Sequence, residues 1–207
     1  MVDRKNLDKK NALISVSNKK NLKFLCENLE KYNYSFISSG TTGKKIRNIG
    51  FKCKDVSDFT KSKEMFDGRI KTINSLIYSS LLYIRDNKLH RRQFLSLKVP
   101  EIDIVIVNLY PFKEYLNKYK NDKIIEMIDI GGPSLLRAAS KNYKYITPII
   151  DINDYSKLIK NLKKNKGKTD LIFRKKMAQK IFKETSKYDK IISNWFNEKN
   201  NIQFPEM

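Results

Sequence analysis

The stretch IDIGGPSLLRAASKN, Ile128 to Asn142, sets a carboxylate, Asp129, between two isoleucines and directly before Gly131, Gly132 and Pro133. A helix-forming run follows and reaches a cation, Lys141. Two readings compete here. In one, Asp129 caps a helix fed by a strand or buried turn. In the other, the glycine turn aims it at a ligand held where unpaired helix amides favour anions. Other segments carry related chemistry. Ser15-Val16-Ser17-Asn18-Lys19 and Ser38-Ser39-Gly40-Thr41-Thr42-Gly43 combine hydroxyls, small residues and a nearby cation. That combination cradles phosphate, although Ser and Thr also cap helices routinely. DGRIKT adds Arg69, Lys71 and Thr72, and NLYP adds Asn108 and Tyr110. Taken together, these groups suit one anionic ligand that also bears an amide.

Such groups converge only if the chain between them brings them to one edge. NALISVS (11–17) reads as a buried strand, and the run after it is an amphipathic helix with Leu22, Leu25, Cys26 and Leu29 on one face. YSFISSG (34–40) is a second strand, and TTGKKIRNIG a short helix closed by Gly50. FKCKDVSDFT is expected to be a third short strand with a loop, and EMFDGRIKT (64–72) a charged loop. INSLIYSSLLYIR has helical spacing at Leu76, Ile77, Leu81 and Ile84. EIDIVIVNLYPF (101–112) is apolar on both faces, as an interior parallel strand would be. YITPIID (145–151) is the last strand, followed by a helix opened by Asp151 or Asn153. A long terminal helix presents Leu171, Ile172, Met177, Ile181, Phe182, Tyr188, Ile192 and Trp195 on its apolar side. Strands alternating with helices imply an α/β fold with a mainly parallel sheet covered on both faces. In such folds ligands sit at the carboxyl ends of the strands, and the polar segments above fall there.

Composition narrows the classes. With 207 residues and 40% hydrophobic content, the chain has material for one domain with a core. The formal charge of +21 invites a nucleic-acid reading, but the lysines are spread along the whole chain and no nucleic-acid-binding module is present. Two cysteines and one histidine make neither a zinc site nor a disulfide framework. A reducing cytoplasm is the expected location. No apolar run reaches membrane-spanning length, and the charged opening MVDRKNLDKK has no secretory h-region.

In order and spacing, LISVSNKK, SSGTTG, VSDFT, EMFDGRIKT, VNLYPF, IDIGGPSLLRAASKN and the terminal YDKIISNWF resemble the IMP cyclohydrolase domain. That domain is the N-terminal half of the bifunctional enzyme whose other half is the AICAR formyltransferase. The resemblance implies a methylglyoxal-synthase-like three-layer fold over residues 11–197, with residues 1–10 as a basic tail. Residues 198–207 match the start of a linker to a formyltransferase domain absent from this chain. The implied reaction closes 5-formamidoimidazole-4-carboxamide ribotide to IMP with loss of water, and needs no cofactor or metal. Lys141 would be the proton donor and acceptor, with Lys71, Tyr110 and Asp129 completing the catalytic cluster. Ser17, Asn18, Lys19, Ser39, Gly40, Thr41, Thr42, Arg69 and Thr72 would hold the phosphate and ribose. Asn108, Asp129 and Ile130 would line the base. The implied partner is a purine ribonucleotide, with room left for a homodimer and for a separate formyltransferase. The chain departs from the family pattern at Asn18, where the family has aspartate, and at Thr41, where it has glycine. Asn74-Ser75 stands where the family has His-Pro. Two rivals follow: a methylglyoxal synthase, for which His90 is the single histidine available, and a non-catalytic nucleotide-binding module.

Overall fold

The computed structural model describes residues 10–116, 118 and 122–198. Five strands, β1 (Lys10–Val16), β2 (Tyr34–Ser38), β3 (Cys53–Asp55), β4 (Ile104–Asn108) and β5 (Thr147–Ile149), form one sheet in the order β3-β2-β1-β4-β5. Every pairing is parallel. Helices α1 (Leu22–Glu30), α2 (Gly40–Asn48), α3 (Val56–Thr60), α4 (Ser75–Leu82) and α5 (Lys88–Ser96) precede β4. After it come α6 (Phe112–Tyr115), α7 (Asp122–Ile125), α8 (Gly131–Lys141), α9 (Tyr155–Lys164) and α10 (Leu171–Glu198).

Strand alternation divides the core into two layers. Ala12, Ile14 and Val16 of β1 join Ile104 and Ile106 of β4 beneath α1 and α9, whose Leu25, Leu29, Leu158 and Leu162 are fully buried. Leu13, Val105 and Val107 face the other way, onto Ile77 and Leu81 of α4 and Leu135, Leu136 and Ala139 of α8. The interior strand is therefore apolar on both faces, as a covered parallel sheet requires. A smaller aromatic cluster of Phe112, Tyr188 and Trp195 sits apart from both layers.

The order reverses between β1 and β4, where Val16 lies beside Asn108. Such a switch point opens a crevice at the carboxyl edge of the sheet, because the connections leave to opposite sides.

Several expectations need correction. FKCKDVSDFT is not a strand and loop throughout: Val56–Thr60 is helical, because the Asp55 carboxylate accepts the Ser57 N–H at 3.1 Å and Val56 and Phe59 bury. Helix α5, absent from the sequence reading, is opened by Asn87, whose side chain accepts from Leu89 and His90 N–H groups. Ile84 lies beyond α4 and is exposed. On α10 the buried stripe runs through Met177, Ile181 and Tyr188, with Phe173 partly buried at its start. Leu171, Ile172 and Phe182 are exposed, Ile172 at 82%, since 3.6-residue periodicity turns them off that stripe. The last strand is shorter than 145–151, and Lys10 belongs to β1 rather than to a tail. Residues 1–9 and 199–207, and with them most of the two tails, lie outside the described residues.

Candidate active site

The carboxyl ends of β1, β2 and β4 and the N-termini of α2 and α8 enclose a cleft of about 510 Å³. A larger, shallow hollow of about 790 Å³ lies along the β2–β3 edge and includes Tyr34, Lys52 and Cys53. It holds none of the strand-end groups.

One side of the cleft is lined by hydroxyls, cations and the start of α2. Ser39 is the N-cap of α2 in extended conformation, and its hydroxyl makes no capping bond although it lines the cleft. The first turn of α2 adds unpaired amides and the positive end of a helix dipole. Gly40 has φ +53°, a left-handed backbone that disfavours other residues. A Cβ there would lie 2.6 Å from Lys71 Nζ, the mobile tip of that side chain, so the backbone conformation is the stronger reason for glycine. Thr42 is committed elsewhere: its hydroxyl accepts from Val16 N–H at 3.2 Å and donates to the Val16 carbonyl at 3.0 Å, tying α2 to β1. Ser17 Oγ donates to the Leu109 carbonyl at 2.9 Å, joining the ends of β1 and β4. Lys19 Nζ donates to the Val16 carbonyl at 2.6 Å, and burial lowers its pKa.

The segment after α3 supplies the other cations. Met65 and Ile70 bridge each other, and Phe66, Asp67 and Gly68 between them all have positive φ, a tight left-handed turn. Arg69 projects from it and is held in a two-pronged pair by Glu126, with Nε 3.2 Å from Oε2. Lys71 Nζ lies 3.4 Å from Glu64 Oε2. Thr72 is nearly buried beside Gly131, where a Cβ would come within 2.9 Å of its hydroxyl.

Asp129 stands opposite. Its Oδ1 accepts the Gly132 N–H at 2.7 Å, and the nearby Tyr110 backbone amide also favours the ionised carboxylate. Burial nevertheless raises its pKa, outweighing the two amides that lower it. A Cβ at Gly132 would fall 2.3 Å from Asp129 Oδ2, so glycine is needed for the carboxylate to fold back over the helix start. The two readings of this residue therefore describe one arrangement, in which Asp129 caps α8 and lines the cleft. Tyr110, 48% exposed, and Ile130, 64% exposed, stand at the mouth. Asn108 donates Nδ2–H to the Ile150 carbonyl at 2.8 Å, linking the ends of β4 and β5.

The MGS-like domain family model matches residues 21–134, more than half of the chain. The chain belongs to the MGS-like domain family. A second model, the AICARFT/IMPCHase bienzyme, matches residues 139–207. The bifunctional purine biosynthesis protein PurH of Magnetococcus marinus is 41% identical over 203 residues, covering 95% of this chain and 38% of that protein. PurH of Lactobacillus acidophilus is 43% identical over 199 residues, covering 95% and 39%. The chain thus spans about two-fifths of the length of these curated relatives. The crystal structure of ForH superposes with a TM-score of 0.79 at 26% identity, over 91% of this chain and 99% of that one.

In this MGS-like domain, Ser17, Lys19, Ser39, Thr41, Thr42, Arg69, Lys71, Thr72, Asn108, Tyr110, Asp129 and Ile130 share the cleft, and Gly40 abuts it through Lys71. Two expected residues do not join them. Asn18 is exposed, and its side chain accepts from Lys20 N–H at 2.9 Å. Lys141 is exposed at the far end of α8, about 15 Å along the axis from Gly131 at helical rise. Lys71 and Lys141 therefore do not share the cleft. The sequence reading missed Glu64 and Glu126, which hold Lys71 and Arg69, and Tyr188, which holds Asp129. The Arg69–Glu126 contact spans 57 positions, and no local pattern announces it.

Proposed function

We propose that this MGS-like domain is an IMP cyclohydrolase, acting in the cytoplasm on 5-formamidoimidazole-4-carboxamide ribotide. The observation that carries the reading is one cleft in which Lys71, Tyr110 and Asp129 share space with the hydroxyls and Lys19 at the ends of β1 and β2. The bifunctional purine-synthesis relatives support the same assignment.

In this reading the ribotide phosphate rests on the α2 amides and the Ser39 hydroxyl, with Lys19 and Arg69 as counter-charges. The base lies toward Asn108 and Ile130. Both reacting groups belong to one molecule, so the protein has chiefly to orient them. The carboxamide nitrogen bonds to the formyl carbon and gives up one proton, which Asp129 accepts. The formyl oxygen becomes an oxyanion opposite Lys71 and takes up a proton to become a hydroxyl. Loss of that hydroxyl with the formamide nitrogen's proton releases water and leaves the closed ring. A buried carboxylate with raised pKa is the stronger base once ionised. In this reading Tyr110, exposed at the mouth, relays protons to solvent.

A methylglyoxal synthase reading is disfavoured by His90, the single histidine. Its Nδ1 accepts the Ile84 N–H at 3.1 Å outside the cleft. The test is to incubate the protein with the formamido ribotide and, separately, with dihydroxyacetone phosphate. IMP from the first and no methylglyoxal from the second is the expected result. Methylglyoxal formation, or binding of the ribotide without turnover, overturns the assignment.

A further inference from the structure

Ring closure as proposed needs the Asp129 carboxylate at a fixed place, and that place is set from α10. The Asp129 N–H donates to Tyr188 Oη at 2.8 Å across 59 positions of sequence. Tyr188 is 7% exposed. Its ring meets Phe112 edge-on with centroids 6.3 Å apart, and Phe112 meets Trp195 at 5.9 Å. Phe112 lies two residues past Tyr110, whose backbone amide favours the ionised Asp129 carboxylate. One aromatic patch on α10 therefore braces both loops that carry reacting groups. Burial pushes the Tyr188 hydroxyl up to about 12, so it stays a neutral phenol near pH 7.

The hydroxyl accepts from the backbone of Asp129 rather than touching its carboxylate, so it governs where the carboxylate is. Removing the oxygen leaves an N–H without its partner, a loss that the loop relieves by shifting toward water. Small displacements of a reacting group lower rates steeply, whereas ground-state binding survives if the phosphate grip is untouched. We infer that Tyr188 is a positioning residue for the ring closure, holding the Asp129 loop in register with Tyr110 through the Asp129 N–H. The inference rests on the cyclohydrolase reading for its kinetic consequence and on the hydrogen bond alone for its structural one.

Tyr188→Phe keeps the ring and removes only the acceptor. Its kcat should fall about tenfold with KM within about twofold. Exchange of the Asp129 amide, followed by NMR, should rise about tenfold or more while amides in the middle of α8 stay protected. Tyr34→Phe is the control, because that hydroxyl donates to the Gly167 carbonyl at 3.3 Å, at the other end of the sheet. It should leave both readings unchanged. A Tyr188→Phe protein that melts earlier yet keeps wild-type kcat and a protected Asp129 amide overturns the inference, as does a rise in KM alone. If the wild type does not turn over the ribotide, the cyclohydrolase reading fails by itself. Amide exchange then decides whether Tyr188 anchors Asp129: faster exchange in Tyr188→Phe supports the anchor, and unchanged exchange refutes it.

Discussion

Asp129 works under a conflict of demands, and the conflict can be measured. Its place at the start of α8 beside the cleft is buried, and burial makes its ionised form costly. A carboxylate whose folded pKa is raised binds its proton more tightly in the folded state. Its contribution to stability is therefore complete below the unfolded value and is lost as pH rises through the folded one. Asp129→Asn keeps an oxygen for the Gly132 N–H and has no charge to bury. At pH 7 this variant should melt above the wild type, with the advantage shrinking as pH falls toward the ordinary carboxylate range. A pH-independent difference in melting temperature would count against a buried, ionising Asp129. The same residue should be indispensable to chemistry. Asp129→Ala and Lys71→Ala should each lower kcat by roughly two orders of magnitude or more, the scale for losing an acid–base or oxyanion group. Initial rates with the formamido ribotide on folded variants decide it, and near-wild-type turnover in either would remove that residue from the mechanism.

Helix α4 shows how an element holds a loop of the site. Asn74 ends the segment that carries Arg69, Lys71 and Thr72, and its Oδ1 accepts the Leu76 N–H at 2.9 Å. The side chain is a helix cap and does not line the cleft. Asn74→Ala should therefore cost about 1 kcal/mol, read as a fall of about 2–4 °C in Tm for a chain of this size. Asn74→His restores the residue of the family pattern. Because the position orients a loop rather than carrying a proton, turnover should change by less than about tenfold, roughly 1.4 kcal/mol of barrier. A large gain in activity on introducing histidine would show that the natural chain lacks a proton carrier there. Gly40, Gly131 and Gly132 act at the same scale. Gly131 and Gly132 leave out a Cβ where Thr72 and Asp129 stand, and Gly40 takes a left-handed backbone, so helix starts and cleft side chains are mutually fitted.

For the molecule as a whole, the +21 charge is spread over the chain, while the cleft cations are partly neutralised by Glu64 and Glu126. Selectivity should accordingly come from the geometry of the cleft more than from bulk attraction. IMP at about a hundred times its Kd should stabilise the protein by roughly 2.7 kcal/mol, the shift expected of a ligand that binds only the folded state. Inosine, which lacks the phosphate, should shift the melting temperature far less. Equal shifts in a thermal melt would remove the phosphate role of the Ser39–Thr42 turn.

The layered parallel architecture was legible in the sequence because strand and helix periodicity are local. IVIVN is apolar on both faces, and Leu22, Leu25, Cys26 and Leu29 bury together as their spacing requires. The glycine turns and strand-end hydroxyls were legible for the same reason, and most of them meet in one cleft. Short helices such as α3 and α5 escaped, since each depends on a single capping side chain that also reads as loop. Tertiary structure decided which distant groups touch. It brought Glu126 to Arg69 and Tyr188 to Asp129, across 57 and 59 positions. It also left Lys141 at the far end of α8, because helical rise converts a short sequence interval into a fixed distance. Sequence thus determined what each strand end offers, and packing alone determined which offers face the same space.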